Sequence, residues 1–196
     1  SYTDTLKIRS TDDVLDDFVD AVSKNGQLLL NISPRADGSI PTDQKSLLLE
    51  LGKWLKINGE AIYETRPWLE YGEGPNRLDE EGIFQKKLKF TAKDMRYTRA
   101  KDKKTLYVTL LDWPEDLSFS PEILQIDGQA NAKVELLGHS GALAHQVRNK
   151  KLTVTVPAKK PGNYAYSFKL TGFDTSLTPE AAKKRAATIE SFKTNP

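Results

Sequence analysis

Glu60, Glu64, Glu70 and Glu73 crowd into one short stretch that also holds Tyr63, Trp68 and Tyr71. Paired carboxylates can cleave a glycosidic bond. A retaining pair must then stand about 5 Å apart across a sugar pocket. Nothing in the spacing pairs any two of these four, so they read as solvated loop carboxylates. Asp37-Gly38 and Asp127-Gly128 read as turns. His139 and His145 are the only histidines and share a glycine-containing loop with no carboxylate or thiol pattern around it. No metal site is expected there. The chain has no cysteine, which removes thiolate zinc sites, cysteine nucleophiles and disulfides together. Lys101, Lys103, Lys104, Lys159 and Lys160 read as solvated turn residues. Trp113, ahead of Pro114 at a strand end, has a face that could stack on a pyranose ring, but the sequence favours a core role.

The elements that must position these residues are bounded by composition. The chain has 196 residues, 38% hydrophobic and 29% charged, and a formal net charge of +2. Such a chain folds around a core. It lacks the field that would hold nucleic acid or an anionic membrane, so neither is expected as a partner. No apolar run approaches the roughly 20 residues that span a bilayer.

The first third reads helix, strand, helix. Ser10 or Thr11 caps a helix with Asp12 and Asp13 in its first turn. Val14, Leu15, Phe18, Ala21 and Val22 form its apolar face. Asn25-Gly26 stops it, with the glycine in the left-handed conformation. Leu28-Leu29-Leu30-Asn31-Ile32 does not alternate, which suits a strand buried on both faces in a parallel sheet. Thr42 caps a second helix carrying Leu47, Leu48, Leu51, Trp54 and Leu55, closed by Asn58-Gly59. A strand hidden on both faces needs strand neighbours, and the chain supplies only this one. The segment therefore reads as one unit of a (β/α)₈ barrel, and the chain as the C-terminal portion of a longer protein. A small self-contained α-rich subdomain is the alternative. Asn31 ends the apolar strand, on the side where barrel strands face the active site, and is a candidate for the pocket wall.

From about Leu78 the period changes to two. Leu106, Val108 and Leu110 alternate with polar neighbours, as do Leu152, Val154 and Val156, and Tyr166, Phe168 and Leu170. These are half-buried antiparallel strands. Shorter strands are expected at 87–90, 95–99, 117–119 and 133–137. The fold class is α/β plus all-β: residues 1–77 a barrel piece with a connecting segment at 60–76, residues 78–173 an antiparallel β-sandwich, and residues 174–196 a tail. In that tail Thr178 and Pro179 open a helix.

Several stretches resemble the C-terminal part of the α-L-fucosidase family of glycoside hydrolases. They are Val22-Ser23-Lys24-Asn25-Gly26, Leu28-Leu29-Leu30-Asn31-Ile32-Ser33-Pro34-Arg35-Ala36-Asp37-Gly38, Gly52-Lys53-Trp54-Leu55 and Asn58-Gly59-Glu60-Ala61-Ile62-Tyr63. Thr65-Arg66-Pro67-Trp68, Tyr71-Gly72-Glu73-Gly74-Pro75, Phe90-Thr91-Ala92-Lys93-Asp94-Met95-Arg96-Tyr97-Thr98 and Leu136-Leu137-Gly138 continue the likeness. Ser33 stands where the family often has glycine, and His145 where an aromatic is common.

The resemblance implies a (β/α)₈-like catalytic barrel followed by a β-sandwich, and a retaining hydrolase that needs no metal or other cofactor. Its nucleophilic Asp and its acid/base lie upstream, so no catalytic residue is expected in this chain. Tyr2 matches the tyrosine of a pocket-lining motif, a second candidate for the pocket wall. The implied partners are a fucosylated glycan and the polypeptide carrying the rest of the barrel. The implied compartment is secreted, periplasmic or lysosomal. A non-catalytic carbohydrate-binding or scaffolding sandwich is the rival reading.

Overall fold

The computed structural model describes residues 6–76 and 89–194. Helix α1 (Thr11–Ser23) starts where Ser10 Oγ accepts the Asp13 amide at 3.1 Å. It ends on a left-handed Asn25, with Gly26 N donating back to Ala21 O at 2.7 Å. The left-handed residue is thus Asn25 and not the glycine. A Cβ at Gly26 would lie 3.0 Å from Ala21 O, so a larger residue there would crowd the helix end.

Helix α2 (Thr42–Asn58) begins after Pro41, and Thr42 makes no capping bond. Gly59 does not close it in a left-handed turn. It carries on, at helical φ, into a 3₁₀ turn (Gly59–Ala61).

The strands are β1 (Thr65–Glu73), β2 (Met95–Ala100), β3 (Thr105–Leu110), β4 (Ser118–Phe119), β5 (Leu124–Leu136), β6 (His145–Arg148), β7 (Lys151–Thr155) and β8 (Tyr166–Leu177), followed by helix α3 (Pro179–Thr194). They form two antiparallel sheets, ordered β1-β2-β3-β8-β5 and β4-β7-β6. Alternate residues from both sheets meet in the middle, among them Tyr97, Val108, Leu110, Phe119, Leu152 and Phe168. Phe119 of the small sheet lies against Phe168 of the large one, with ring centroids 4.6 Å apart. Trp113 belongs to this core, edge-on to Tyr166 at 4.7 Å.

The outer face of the large sheet is covered by α1 and α2. Leu15, Val19 and Trp54 pack there with Phe90, Leu111 and Ala165. Trp54 Nε1 donates to Ala165 O at 2.8 Å, and Asn58 Oδ1 accepts the Ser167 amide at 3.2 Å. The helical part and the sandwich are therefore bolted together by buried polar contacts as well as by apolar area.

Several expectations change. The connecting segment is strand β1, the edge of the large sheet, paired with β2 from Thr65↔Ala100. Pro67 and Gly72 flank a register shift that breaks the two-residue period, which is why it does not read as a strand. Asp127-Gly128 is not a turn: both residues lie inside β5, at a register shift between Gly128 and Lys133. Residues 89–91 carry no strand, and the rest of the strand expected at 87–90 lies outside the described residues. The buried stripe of α1 takes in Asp16, Asp20 and Ser23 rather than Ala21 and Val22. Helix α3 opens as its cap signal implies, with Ala181 N to Thr178 Oγ1 at 3.4 Å. It docks through Arg185, which donates to Leu69 O at 2.6 Å and approaches Glu70 at 3.6 Å.

Residues 26–35 form no strand. Among the described residues no backbone hydrogen bond pairs 28–32 with anything, and Leu29 is 92% exposed. The run has the composition of a doubly buried strand, but the described residues supply no neighbour that would make it one.

Candidate functional site

Two features stand out where the helical part is built. The first is an apolar groove of about 250 Å³ between α1, α2 and the unpaired run, lined by Leu6, Ile8, Val14, Leu30, Ile32 and Leu47. The run is held against α2 at its C-terminal end. Gln44, buried in the first turn of α2, accepts the Ser33 amide at 2.7 Å and donates to Ser33 O at 3.4 Å. Past that clamp, Asp37 Oδ1 caps a tight turn by accepting the Ser39 amide at 2.9 Å, as the Asp-Gly signal implies.

Asn31 lies exposed on this groove, and Tyr2 falls outside the described residues. Leu28, Leu29 and Ile32 are exposed large apolar side chains on a backbone that makes no backbone hydrogen bond among the described residues. Such an edge is a template for self-association. Leu29→Lys in this 196-residue chain should lower its light scattering and sedimenting mass at high concentration. Its stability should move by no more than about 0.5 kcal/mol, as for other exposed sites.

The second feature is a charged seam behind the groove, where α1 meets the sandwich. Arg96 of β2 is 1% exposed. Its Nε donates to Asp20 Oδ1 at 2.6 Å, Nη1 to Met95 O at 3.0 Å and Glu73 O at 3.3 Å, and Nη2 to Asn76 O at 3.3 Å. The Phe90 and Tyr71 rings lie at 5.4 and 5.6 Å from its guanidinium carbon. Lys24 takes the other Asp20 oxygen at 2.9 Å. Each of its three nitrogens donates at least once, and the charge is met by Asp20, as a buried guanidinium requires.

Asp94 is fully buried and accepts from Asn76 N at 2.8 Å, Asn76 Nδ2 at 2.9 Å, Thr91 N at 2.8 Å and Thr91 Oγ1 at 3.0 Å. A Cβ on Gly74, at φ +124°, would sit 2.5 Å from Asp94 Oδ1, so only glycine lets the chain pass.

Glu73 corrects the solvated reading. It is 8% exposed and accepts from Tyr97 Oη at 2.6 Å, Ile123 N at 2.9 Å and Glu122 N at 3.0 Å. It thereby ties β1 to the segment leading into β5, the opposite edge of the same sheet. Burial raises its carboxyl above the ordinary range despite those donors. The other three carboxylates are surface groups: Glu60 accepts from Tyr107 Oη at 2.8 Å and pairs with Lys169, Glu64 pairs with Lys101, and Glu70 faces Arg185.

The seam is structural rather than chemical. Asp20, Glu73 and Asp94 are consumed by fixed donors, and none of them lines a cavity described above. Among the described residues no group of three or more His, Cys, Asp or Glu is placed to hold a metal ion. His145 Nδ1 lies 3.2 Å from Leu143 O, and its ring is edge-on to Phe173 at 5.5 Å. The signals for the seam were present in the sequence. Asp12, Asp16 and Asp20 recur every four residues, one stripe of a helix. Arg96 sits between Met95 and Tyr97, so it points away from the core that they enter.

Two helices thus pack on the outer face of the larger sheet of an antiparallel sandwich, and the apolar run between them has no strand partner among the described residues. Residues 1–60 match the family model described as alpha-L-fucosidase, and residues 88–171 match the alpha-L-fucosidase C-terminal domain. The chain belongs to the α-L-fucosidase family. It is 32% identical over 166 residues to the tissue α-L-fucosidase of Rattus norvegicus, which takes in 81% of this chain and 31% of that protein. It is 35% identical over 133 residues to the plasma α-L-fucosidase of the same animal, 67% of this chain and 25% of that one. Among solved structures it superposes on a Thermotoga maritima α-fucosidase in complex with fucose, with TM-score 0.63, 28% identity, and cover of 84% of this chain and 35% of that one. The chain thus spans about a quarter to a third of the length of these relatives.

Proposed function

We propose that the protein to which this chain belongs is a retaining α-L-fucosidase acting on terminal α-L-fucosyl linkages of glycans, and that this chain supplies the last barrel unit and the sandwich. The observation that carries the reading is the unpaired apolar run 28–32, which has the composition of a barrel strand but no backbone partner among the described residues. Its missing partner is the polypeptide bearing the other barrel strands.

In a retaining mechanism a carboxylate on that polypeptide attacks the anomeric carbon. The glycosidic C–O bond breaks as a carboxylic acid protonates the leaving oxygen. The ester so formed is then cleaved by water, which loses its proton to the same acid/base group. The role of this chain is mechanical. Asn31 and Tyr2 would stand at the pocket wall, and the seam at Arg96 would fix the barrel unit against the sandwich. Secretion, or residence in a periplasm or lysosome, is the compartment that fits the family. No helix among the described residues is long and apolar enough to cross a membrane.

The test is fucose release from an aryl α-L-fucoside. This chain alone should release none above a buffer control. Joined to the polypeptide carrying the remaining barrel, it should restore turnover, and Leu29→Lys in the joined protein should abolish that turnover. Hydrolysis by this chain alone would place the catalytic groups inside it and overturn the reading. Absence of turnover in a folded joined protein would leave the sandwich as a binding or scaffolding module.

A further inference from the structure

Alternate residues of a strand share a face, so the inner row of β2 reads Met95, Tyr97, Arg99. The first two are core residues. Arg99 lies instead in an open cavity of about 230 Å³ at one end of the sandwich, beside Trp68, Leu106 and Phe173. Lys103 and Lys104, from the turn joining β2 to β3, form one rim, and Asp174 and Thr175 of β8 another. Directly opposite Arg99 in the ladder stands Arg66 of β1. Like charges at one cross-strand pair repel. The Arg66 guanidinium donates to Thr65 O at 2.9 Å.

Neighbouring lysines are neutralised: Lys101 by Glu64, Lys150 by Asp127, Lys169 by Glu60. Arg99, Lys103 and Lys104 are not; among the described residues their side chains form no ion pair or hydrogen bond. Three cations therefore face one carboxylate, Asp174, across a concave wall that focuses their field.

We propose that this cavity is an anion-binding subsite that takes the sulfate or carboxylate group of an acidic sugar. Arg99 offers the planar fork that matches an oxyanion, and the two lysines add point charge at the rim. Phe173 gives an apolar surface for a sugar ring, and Asp174 an acceptor for a hydroxyl. The choice of a sugar as carrier rests on the glycan-hydrolase reading; the anion preference stands without it.

The test is titration of this 196-residue chain, followed by amide and indole NMR shifts, with galactose 6-sulfate, glucuronate, neutral galactose and inorganic sulfate. The acidic sugars should move the amides of Lys103, Lys104 and Thr105 and the Trp68 indole, with affinity falling as salt rises. Galactose should leave them in place. The doubly substituted Lys103→Ala, Lys104→Ala chain changes only exposed side chains, so its fold is not at risk. It should bind about tenfold more weakly, and Arg99→Gln weaker still. Equal binding of galactose and its sulfate, no shift with either acidic sugar, or unchanged affinity in the lysine variant overturns the subsite. Inorganic sulfate binding as tightly as galactose 6-sulfate overturns the sugar assignment. None of these readouts involves fucose hydrolysis, so failure here and failure of the fucosidase reading are separable.

Discussion

Arg96→Ala should cost about 3–5 kcal/mol of stability, enough to lower the melting temperature by roughly 10 °C in a chain of this length. The loss is large because the partners stay behind. Asp20, 4% exposed, would keep its charge with only Lys24 to meet it. The carbonyls of Met95, Glu73 and Asn76 would lose their donor inside the protein. A buried charge left alone costs more than the pair was worth. The double variant Arg96→Met, Asp20→Leu removes both charges, and should recover more than half of the single-variant loss. Urea denaturation of the three proteins checks this. A double variant no more stable than Arg96→Ala would mean that the guanidinium acts through its packing on Phe90 and Tyr71, not through the ion pair.

Asp16→Asn should have the opposite sign. Asp16 lies on the buried side of α1, 6% exposed, and its Oδ1 has no hydrogen-bond partner. Burial pushes its carboxyl up to about 8, helped by the negative charges of Asp12, Asp13 and Asp17 and opposed by Arg96. The folded chain thus holds this proton more tightly than the unfolded chain, whose carboxyl titrates near its ordinary value of about 3.9. Stability is therefore unaffected by the group below about pH 4, falls as pH rises from about 4 to 8, and levels off above. Asparagine cannot ionise, so the variant escapes the fall. Its advantage should be near zero at pH 4 and on the order of 4 kcal/mol at pH 7. Parallel stability profiles for the two chains across that window would show that Asp16 is not the group responsible.

Much of the sandwich was legible because its signals are local. The segments 106–110, 152–155 and 166–170 are strands in β3, β7 and β8, but only β7 keeps an exposed face; β3 and the start of β8 are buried on both sides, where α1 and α2 cover the large sheet. The Ser10 and Thr178 caps hold as well. What escaped was set by partners far along the chain. β1 hides behind Pro67 and Gly72, and its strand character is supplied by β2. Asp127-Gly128 carries a turn signature, yet β8 continues past it and holds it in a ladder. Glu73, Asp16 and Asp20 look like surface carboxylates in the sequence. They are buried because α1 lies on the sheet at one particular rotation.

By itself the sequence determined the family, the antiparallel layers and the mismatch of a doubly apolar run with no strand to pair with. Residue types and short spacings carry that information, since hydrophobic period and cap chemistry act within a few positions. Only the tertiary structure decided which charges are buried, which are paired, and which are left over at Arg99, Lys103 and Lys104. Charge–charge energies depend on distance and local dielectric, and both are created when remote segments meet.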